Sequence, residues 1–137
     1  MAVVEELIRI EDNNTLSFGD YSRKEKTKLD NVEFDGDLYK VKTFYEITKL
    51  ERNGMFVYES LPGTAVHHFA ANGTEVSFGV YGQGHTSITL ELESDTIYQV
   101  TLDGVNAGKI CTNLGGKLTL SVDLNDGKDV AVKIVKK

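Results

Sequence analysis

The strongest constraint on the fold is the alternation of apolar and polar residues along much of the chain. In residues 87–93, apolar side chains occupy every second position, at Ile88, Leu90 and Leu92. Side chains of a β-strand point alternately to its two faces, so this period of two predicts a strand with one buried face. The pattern recurs in residues 39–43, 76–80, 98–102, 118–124 and 130–134. No window of 12 residues keeps an apolar stripe at helical spacing, so we expect no long helix.

Turn dipeptides separate these segments. Five of them combine Asn or Asp with Gly, residues that tolerate the positive φ angles of two-residue hairpins: Asp35-Gly36, Asn53-Gly54, Asn72-Gly73, Asp103-Gly104 and Asp126-Gly127. Pro62-Gly63 is typical of a type II turn. We read Gly115 and Gly116 as part of a hairpin loop. The chain is therefore predicted to be all-β, an antiparallel β-sandwich of about ten short strands joined by hairpins.

The organisation predicted along the chain is two β units packed together, which could form one domain. A shift in pattern near residues 70–73 places an N-terminal unit at 1–70 and a C-terminal unit at 71–137. No low-complexity linker separates the two, so we expect them to share packing. Residues 4–10 fit either a helical turn or a strand.

The charge balance bears on the partners. The chain of 137 residues carries 21 acids and 15 bases, a formal net charge of −6. Affinity for phosphate backbones comes largely from Lys and Arg, so we expect neither nucleic acid nor an anionic membrane as a partner. The densest basic stretch, residues 23–28, is interrupted by Glu25 and is interpreted as a solvated edge or loop.

Cysteine and hydropathy bear on location. Cys111 is the single cysteine, so no intramolecular disulfide is expected. It lies in a strand-like segment and is predicted to be a buried structural thiol. No signal peptide and no apolar run long enough to cross a bilayer is recognisable, so a cytoplasmic location is the default expectation.

The polar residues predict no catalytic site, no metal and no cofactor. His67 and His68 are adjacent, and neighbouring residues of a regular strand point to opposite faces. Glu91 and Glu93 share a strand face at a separation that hydrolysis could use, but amphipathic strands commonly expose such acids. Residues 123–129 gather oxygen ligands without the spacing of a calcium loop, and are interpreted as a turn.

Aromatic residues are candidates for sugar binding, because their ring faces stack on pyranose rings. The candidates are Phe44, Tyr45, Phe56, Tyr58 and Tyr81. Most are expected in the core, since aromatic residues dominate β cores. The best local cluster with a cation is Arg52 near Phe56 and Tyr58, which we take as the candidate ligand site.

Three segments carry a resemblance to a known family: NGMFVYESLPGTAVHHF at 53–69, GDLYKVKT at 36–43 and TNLGGKL at 112–118. Together they resemble short bacterial proteins named endosialidase or endosialidase-like. Sialidases combine a six-bladed propeller with an arginine triad, and 137 residues cannot form six four-stranded blades. A triad would need Arg9, Arg23 and Arg52 to converge. The C-terminal part resembles the immunoglobulin-like or fibronectin-like modules of carbohydrate-active proteins.

The leading expectation is a non-catalytic β-sandwich module that acts in assembly or recognition as a homo-oligomer. Unpaired sheet edges need cover, and a partner subunit is one way to supply it. Phage endosialidases, which the family name invokes, have trimeric stalks. The alternative is a module that binds carbohydrate, with sialic acid or another acidic glycan as ligand. A second alternative, implied by the resemblance, is an endosialidase-type glycoside hydrolase.

Overall fold

The prediction of an all-β fold is confirmed by a computed structural model, which describes residues 3–124 and 129–137. None of these residues lies in a helix. The described residues form thirteen strands, where about ten were predicted. They are β1 (Ile8–Ile10), β2 (Leu16–Phe18), β3 (Thr27–Phe34), β4 (Asp37–Thr43), β5 (Thr48–Arg52), β6 (Met55–Leu61), β7 (Ala65–Ala71), β8 (Glu75–Tyr81), β9 (His85–Glu91), β10 (Ile97–Leu102), β11 (Val105–Cys111), β12 (Lys117–Asp123) and β13 (Val130–Lys136).

The strands form two antiparallel sheets. Sheet one has the order β1-β2-β7-β8-β13-β10-β11, and sheet two has the order β12-β9-β6-β5-β4-β3. Apolar side chains from both sheets meet in one buried cluster. This is the sandwich that the period of two predicted, since each sheet has one apolar face and buries it against the other.

Aromatic rings form the centre of this core. Tyr58 of β6 meets Phe18 of β2 edge-on at 5.3 Å between ring centroids, and meets Phe78 of β8 at 5.8 Å. Phe69 of β7 completes the group at 5.9 Å from Phe18. Edge-to-face contacts of this kind are favourable beyond the area that they bury. Sheet one therefore meets sheet two through rings that interlock.

The strands that the sequence analysis missed lie in the N-terminal third. Residues 8–10 form a strand, which resolves the alternative left open there. β2 is buried at all three positions, and β3 is largely exposed, so neither shows a clean alternation. Strands of both predicted units occur in both sheets, and the boundary after residue 70 falls inside β7. The immunoglobulin-like character of the C-terminal part stays a prediction.

Three of the five predicted turn dipeptides have the expected backbone conformation. Asp35-Gly36, Asn53-Gly54 and Asp103-Gly104 all have positive φ at both residues, as type I′ hairpins require. Asp126-Gly127 and part of the 123–129 segment lie outside the described residues. The loop with Gly115 and Gly116 joins β11 of sheet one to β12 of sheet two, so it is not a hairpin.

The type II turn predicted at Pro62-Gly63 is wrong. The Leu61–Pro62 peptide is cis, and Gly63 does not have positive φ. Glycine is needed here for space: a Cβ on Gly63 would lie 2.1 Å from the backbone oxygen of Phe44. The segment carries the chain from β6 of sheet two to β7 of sheet one, so it does not join two neighbouring strands of one sheet.

Among the described residues, no helix is long and apolar enough to span a membrane.

Candidate functional site

Tyr58, the aromatic residue at the centre of the predicted ligand cluster, lies in the core. Its side chain has no exposed surface. The hydroxyl is 2.8 Å from the Thr64 hydroxyl, and burial raises the pKa of Tyr58 well above its usual range. The ring is enclosed by Phe18 and Phe78, so it cannot stack on a ligand. The expectation of a binding role for Tyr58 is therefore corrected to a structural role.

Phe56 lies on the opposite face of β6 from Tyr58, although the two are separated by two positions. A bulge explains the reversal: Tyr58 pairs with Leu50 but Phe56 pairs with Glu51, so Val57 is an extra residue. Phe56 consequently points to the outer face of sheet two, half-buried. There the ammonium group of Lys117 lies 4.2 Å from the ring centroid, a cation–π contact that covers one ring face.

Arg52 is exposed at the end of β5, where it pairs in register with Tyr39 and Met55. Tyr39 is buried, so Arg52 continues the inward-facing row of β5 beyond the edge of the core. The three residues predicted to form one site thus occupy three environments, which are the core, the outer face and the end of the sandwich. They do not form a common site.

The structure instead gathers lysines on the outer face of sheet two. We call this group the lysine face; it comprises Lys28 on β3, Lys40 and Lys42 on β4, and Lys49 on β5. Lys28 pairs in register with Lys42, and Lys42 pairs with Lys49. Together with Glu51, the four lysines line a shallow depression of about 50 Å³. Its lysines are placed to contact a small anionic group such as a carboxylate.

The acid beside the lysine face neutralises it only partly. Lys49 and Glu51 form an ion pair of 3.6 Å, and Glu59 pairs in register with Lys49 on the next strand. Side chains directly opposite on neighbouring strands are within about 5.5 Å at Cβ, and like charges there are destabilising. The repulsion between Lys42 and the lysines on either side of it, Lys28 and Lys49, therefore opposes folding, and Glu51 and Glu59 offset it mainly at Lys49.

The surroundings of Lys42 lower the pKa of its ammonium group. Partial burial lowers its pKa below the ordinary value of 10.5, and the ammonium groups of Lys26, Lys49 and Lys28 lower the pKa further. Glu51 acts in the opposite direction as a weaker influence. A bound anion would favour the charged form, so binding at this face is coupled to uptake or retention of a proton at Lys42.

Replacing Lys42 by glutamine should raise the free energy of unfolding at neutral pH by roughly 0.2–1 kcal/mol, the usual range of cross-strand pair effects. The pKa of Lys42 is lower in the folded protein than in the unfolded chain. Between these two pKa values the unfolded chain binds more protons, so stability rises with pH in that range. The advantage of Lys42→Gln should therefore narrow as pH approaches 10.5 from below. Urea unfolding of both proteins across this range measures the difference. A Lys42→Gln protein that is less stable than the parent at neutral pH would contradict the repulsion.

An aromatic rim adjoins one end of the lysine face. The Lys26 ammonium lies 5.9 Å from the ring centroid of Phe44, and it is close enough to Lys42 to influence the pKa of that residue. The rings of Phe44 and Tyr45 are in edge contact at 5.4 Å. Tyr45 is 47% exposed. Of the five aromatic candidates in the sequence, Tyr45 is the one with a large exposed surface; its hydroxyl contacts the Glu46 carboxylate, which raises the pKa of Tyr45.

The rim is held by backbone contacts from three segments. The Tyr45 N–H donates to the Arg23 carbonyl, and the Tyr45 carbonyl accepts from the Gly63 N–H at 3.0 Å. The side-chain amide of Gln83 donates to the Tyr45 carbonyl at 2.8 Å. Such support fixes the backbone of Tyr45 while its ring remains outside the core.

The arginines do not form the triad that the family resemblance implies. Arg9 pairs with Glu6 and Glu11, and Arg23 pairs with Asp20 at 3.1 Å. Arg52 lies on the other sheet from Arg9. Two of the three guanidinium groups are thus engaged with carboxylates of the protein itself.

The carboxylate pair weighed from the sequence is divided between two lysines. Glu91 pairs with Lys117, and Glu93 pairs with Lys136 at 2.6 Å. Among residues 3–124 and 129–137, no three side chains of the His, Cys, Asp and Glu types are arranged to hold a metal ion.

Cys111 is exposed, so the prediction of a buried thiol is wrong. Its segment is indeed a strand, but that strand is β11, at the edge of sheet one. An edge strand receives cover from one neighbour only, so a strand-like sequence does not ensure burial.

A network of buried hydroxyl groups lies beneath the aromatic rim. The Thr64 hydroxyl is 2.8 Å from those of Tyr58 and Ser60, and the Thr48 hydroxyl donates to the Thr64 carbonyl at 2.8 Å. Thr43 extends the network to the backbone N–H of Asp20. No buried side-chain nitrogen or oxygen among the described residues lacks a partner, so this network is structural.

The fold and the lysine face define an antiparallel β-sandwich with a cluster of lysines on one outer face of an acidic protein. Comparisons of the chain with protein families, with curated protein sequences and with solved structures found no match.

Proposed function

We propose that this protein is a non-catalytic recognition module that binds the acidic groups of a glycan on its lysine face. The observation that carries the proposal is the cross-strand row Lys28–Lys42–Lys49 on a protein with a net charge of −6. Like charges directly opposite one another on neighbouring strands are destabilising, so this row of lysines lowers the stability of sheet two. Departures of this kind from local consistency are expected at functional sites.

The aromatic rim supports a sugar as the carrier of the acidic group. The depression is shallow, so most of a ligand would extend beyond it, and Tyr45 offers an exposed ring in contact with Phe44. Aromatic rings stack on the apolar faces of sugars, while the lysines meet a carboxylate or sulfate. Nucleic acid is a poorer fit, because its affinity scales with the number of phosphates neutralised and the overall charge opposes it.

The proposal is tested by a glycan array with acidic and neutral members, followed by calorimetry on the best ligand. Lys42→Gln should weaken binding by about tenfold or more, the loss typical of one charge-assisted contact. Tyr45→Ala should also weaken it, without a large change in the unfolding free energy. Lys109→Gln, on exposed β11 of the other sheet, is the matched control and should bind as the parent does.

Binding to acidic glycans should fall with added salt, because exposed charges are screened. Equal binding to neutral and acidic glycans would contradict the proposal, as would Lys42→Gln binding that equals the parent's. Tighter binding of single-stranded nucleic acid than of any glycan would assign the lysine face to that partner instead.

A further inference from the structure

One amine of the lysine face has surroundings that the others do not share. Lys42 of β4 pairs in register with Lys28 of β3 and with Lys49 of β5, so it has a lysine directly opposite on both sides. Lys40 instead pairs in register with Glu51, and Lys49 forms an ion pair with Glu51 at 3.6 Å. None of the ion pairs between described residues includes Lys42. Its nearest charged neighbours across both strands are therefore cations.

These surroundings favour the neutral amine of Lys42. Partial burial lowers its pKa, and the ammonium groups of Lys26, Lys49 and Lys28 lower the pKa further, while Glu51 opposes them weakly. Only the neutral form of an amine is a nucleophile, and a lysine beside other cations is activated in this way. Because the side chain of Lys42 is half-buried and not enclosed, a small molecule can reach it.

The neighbours of Lys42 also attract anions. Lys28, Lys40 and Lys49 line the same shallow depression as Lys42 and are placed to contact a small anionic group. A surface lined by one sign of charge raises the local concentration of ions of the opposite sign. A reagent that carries a phosphate would therefore collect beside an amine that its surroundings have activated.

We propose that Lys42 is a modification site, acylated directly by small acyl phosphates that the lysine face holds by their phosphate group. The neutral amine of Lys42 attacks the carbonyl carbon of the acyl phosphate, and a C–N bond forms. The bond between that carbon and the phosphate oxygen breaks, and its electron pair leaves with the phosphate. The proton lost by the nitrogen passes to the phosphate, so the products are an amide at Lys42 and hydrogen phosphate.

Acylation would change the lysine face itself. An amide carries no positive charge, so the repulsion of Lys42 by Lys28 and Lys49 would disappear and the attraction for anions would weaken. The reaction would thus release an anion bound at this face. The inference does not rest on the glycan proposal, because it needs only the amine and the cations beside it. The reaction is measured without any glycan, so the two proposals succeed or fail separately.

Acetyl phosphate is the probe for this reaction. The full-length protein is incubated with it in mildly alkaline buffer of low ionic strength, and mass spectrometry of peptides gives the initial rate of acetylation at each lysine. We expect Lys42 to react about tenfold faster than Lys109, an exposed lysine of β11 that lies opposite Gln99. Equal rates at Lys42 and Lys109 would overturn the proposal.

Two further measurements test the role of the phosphate. Sulfate should slow acetylation at Lys42 by occupying the lysine face, more than sodium chloride of equal ionic strength does, and should leave Lys109 unaffected. A neutral reagent, p-nitrophenyl acetate, should show a much smaller preference for Lys42 over Lys109, because it has no phosphate to be held. If sulfate has no specific effect, or if both reagents prefer Lys42 equally, recognition through the phosphate is wrong.

A double variant tests the neighbouring cations. Lys28→Gln combined with Lys49→Gln removes both lysines opposite Lys42, so acetylation of Lys42 should slow to the rate of Lys109. Lys133→Gln, on β13 of the other sheet, is the matched control and should leave the rate at Lys42 unchanged. Circular dichroism verifies that both proteins are folded. A double variant that acetylates Lys42 as fast as the parent does would also overturn the proposal.

Discussion

Replacing Tyr58 by alanine should lower the free energy of unfolding by about 3–5 kcal/mol, the range for deleting a large aromatic side chain from a core. Tyr58 is fully buried between Phe18 and Phe78, and its hydroxyl contacts Thr64. The variant would lose ring contacts from both sheets and leave a cavity between them. Denaturant unfolding followed by circular dichroism measures the change.

Two controls separate the contributions of the ring and the hydroxyl. Tyr58→Phe keeps the ring and should cost about 1–3 kcal/mol, because the buried Thr64 hydroxyl loses the Tyr58 hydroxyl as a partner. Tyr45→Ala, which truncates an exposed ring, should change stability by about 0.5 kcal/mol or less. If Tyr58→Ala proved as stable as Tyr45→Ala, the placement of Tyr58 in the core would be wrong.

Gly116→Ala should be far more harmful than Gly104→Ala, although the two glycines have φ of +78° and +79°. Each substitution forces alanine into the left-handed region, at about 1–2 kcal/mol. A Cβ on Gly104 meets nothing within 4 Å, whereas a Cβ on Gly116 would lie 2.3 Å from the backbone oxygen of Leu92. Relief of that clash must disturb the 2.7 Å bond from the Leu92 N–H to Gly116, so the total should reach about 2–5 kcal/mol.

The comparison of the two variants by thermal or urea unfolding is internally controlled, because backbone strain is common to both. Equal destabilisation would show that the approach of Leu92 to Gly116 has no energetic consequence. The pair therefore tests the junction at which β12 enters sheet two.

The lysine face illustrates how far sequence alone could reach. Lys40 and Lys42 alternate along one segment, so their common face follows from the period of two. That Lys28 and Lys49 lie beside Lys42 depends on the pairing of β3, β4 and β5. The hairpin dipeptide at Asp35-Gly36 predicts that β3 and β4 are neighbours, but the bulge after Leu29 and the four-residue loop at 44–47 set the register.

The separation of Phe56 from Tyr58 has a single physical cause. Regular alternation would place Phe56 and Tyr58 on one face, and a bulge of one residue at Val57 reverses this. No feature of the residues at 55–59 marks the bulge, since it is defined by the partner strand. The same dependence on a neighbour explains why Cys111 is exposed on an otherwise ordinary strand.

The order of apolar and polar residues by itself determined that the chain forms strands with one buried face, and Asn, Asp and Gly determined where several hairpins reverse. These are local effects, because side-chain direction and φ depend on residues adjacent in the chain. Tertiary structure alone decided which strands are neighbours, where bulges change the facing side, and which lysines meet across β3, β4 and β5. Those outcomes depend on hydrogen bonds between segments distant in sequence, and no pattern within one segment encodes its partner.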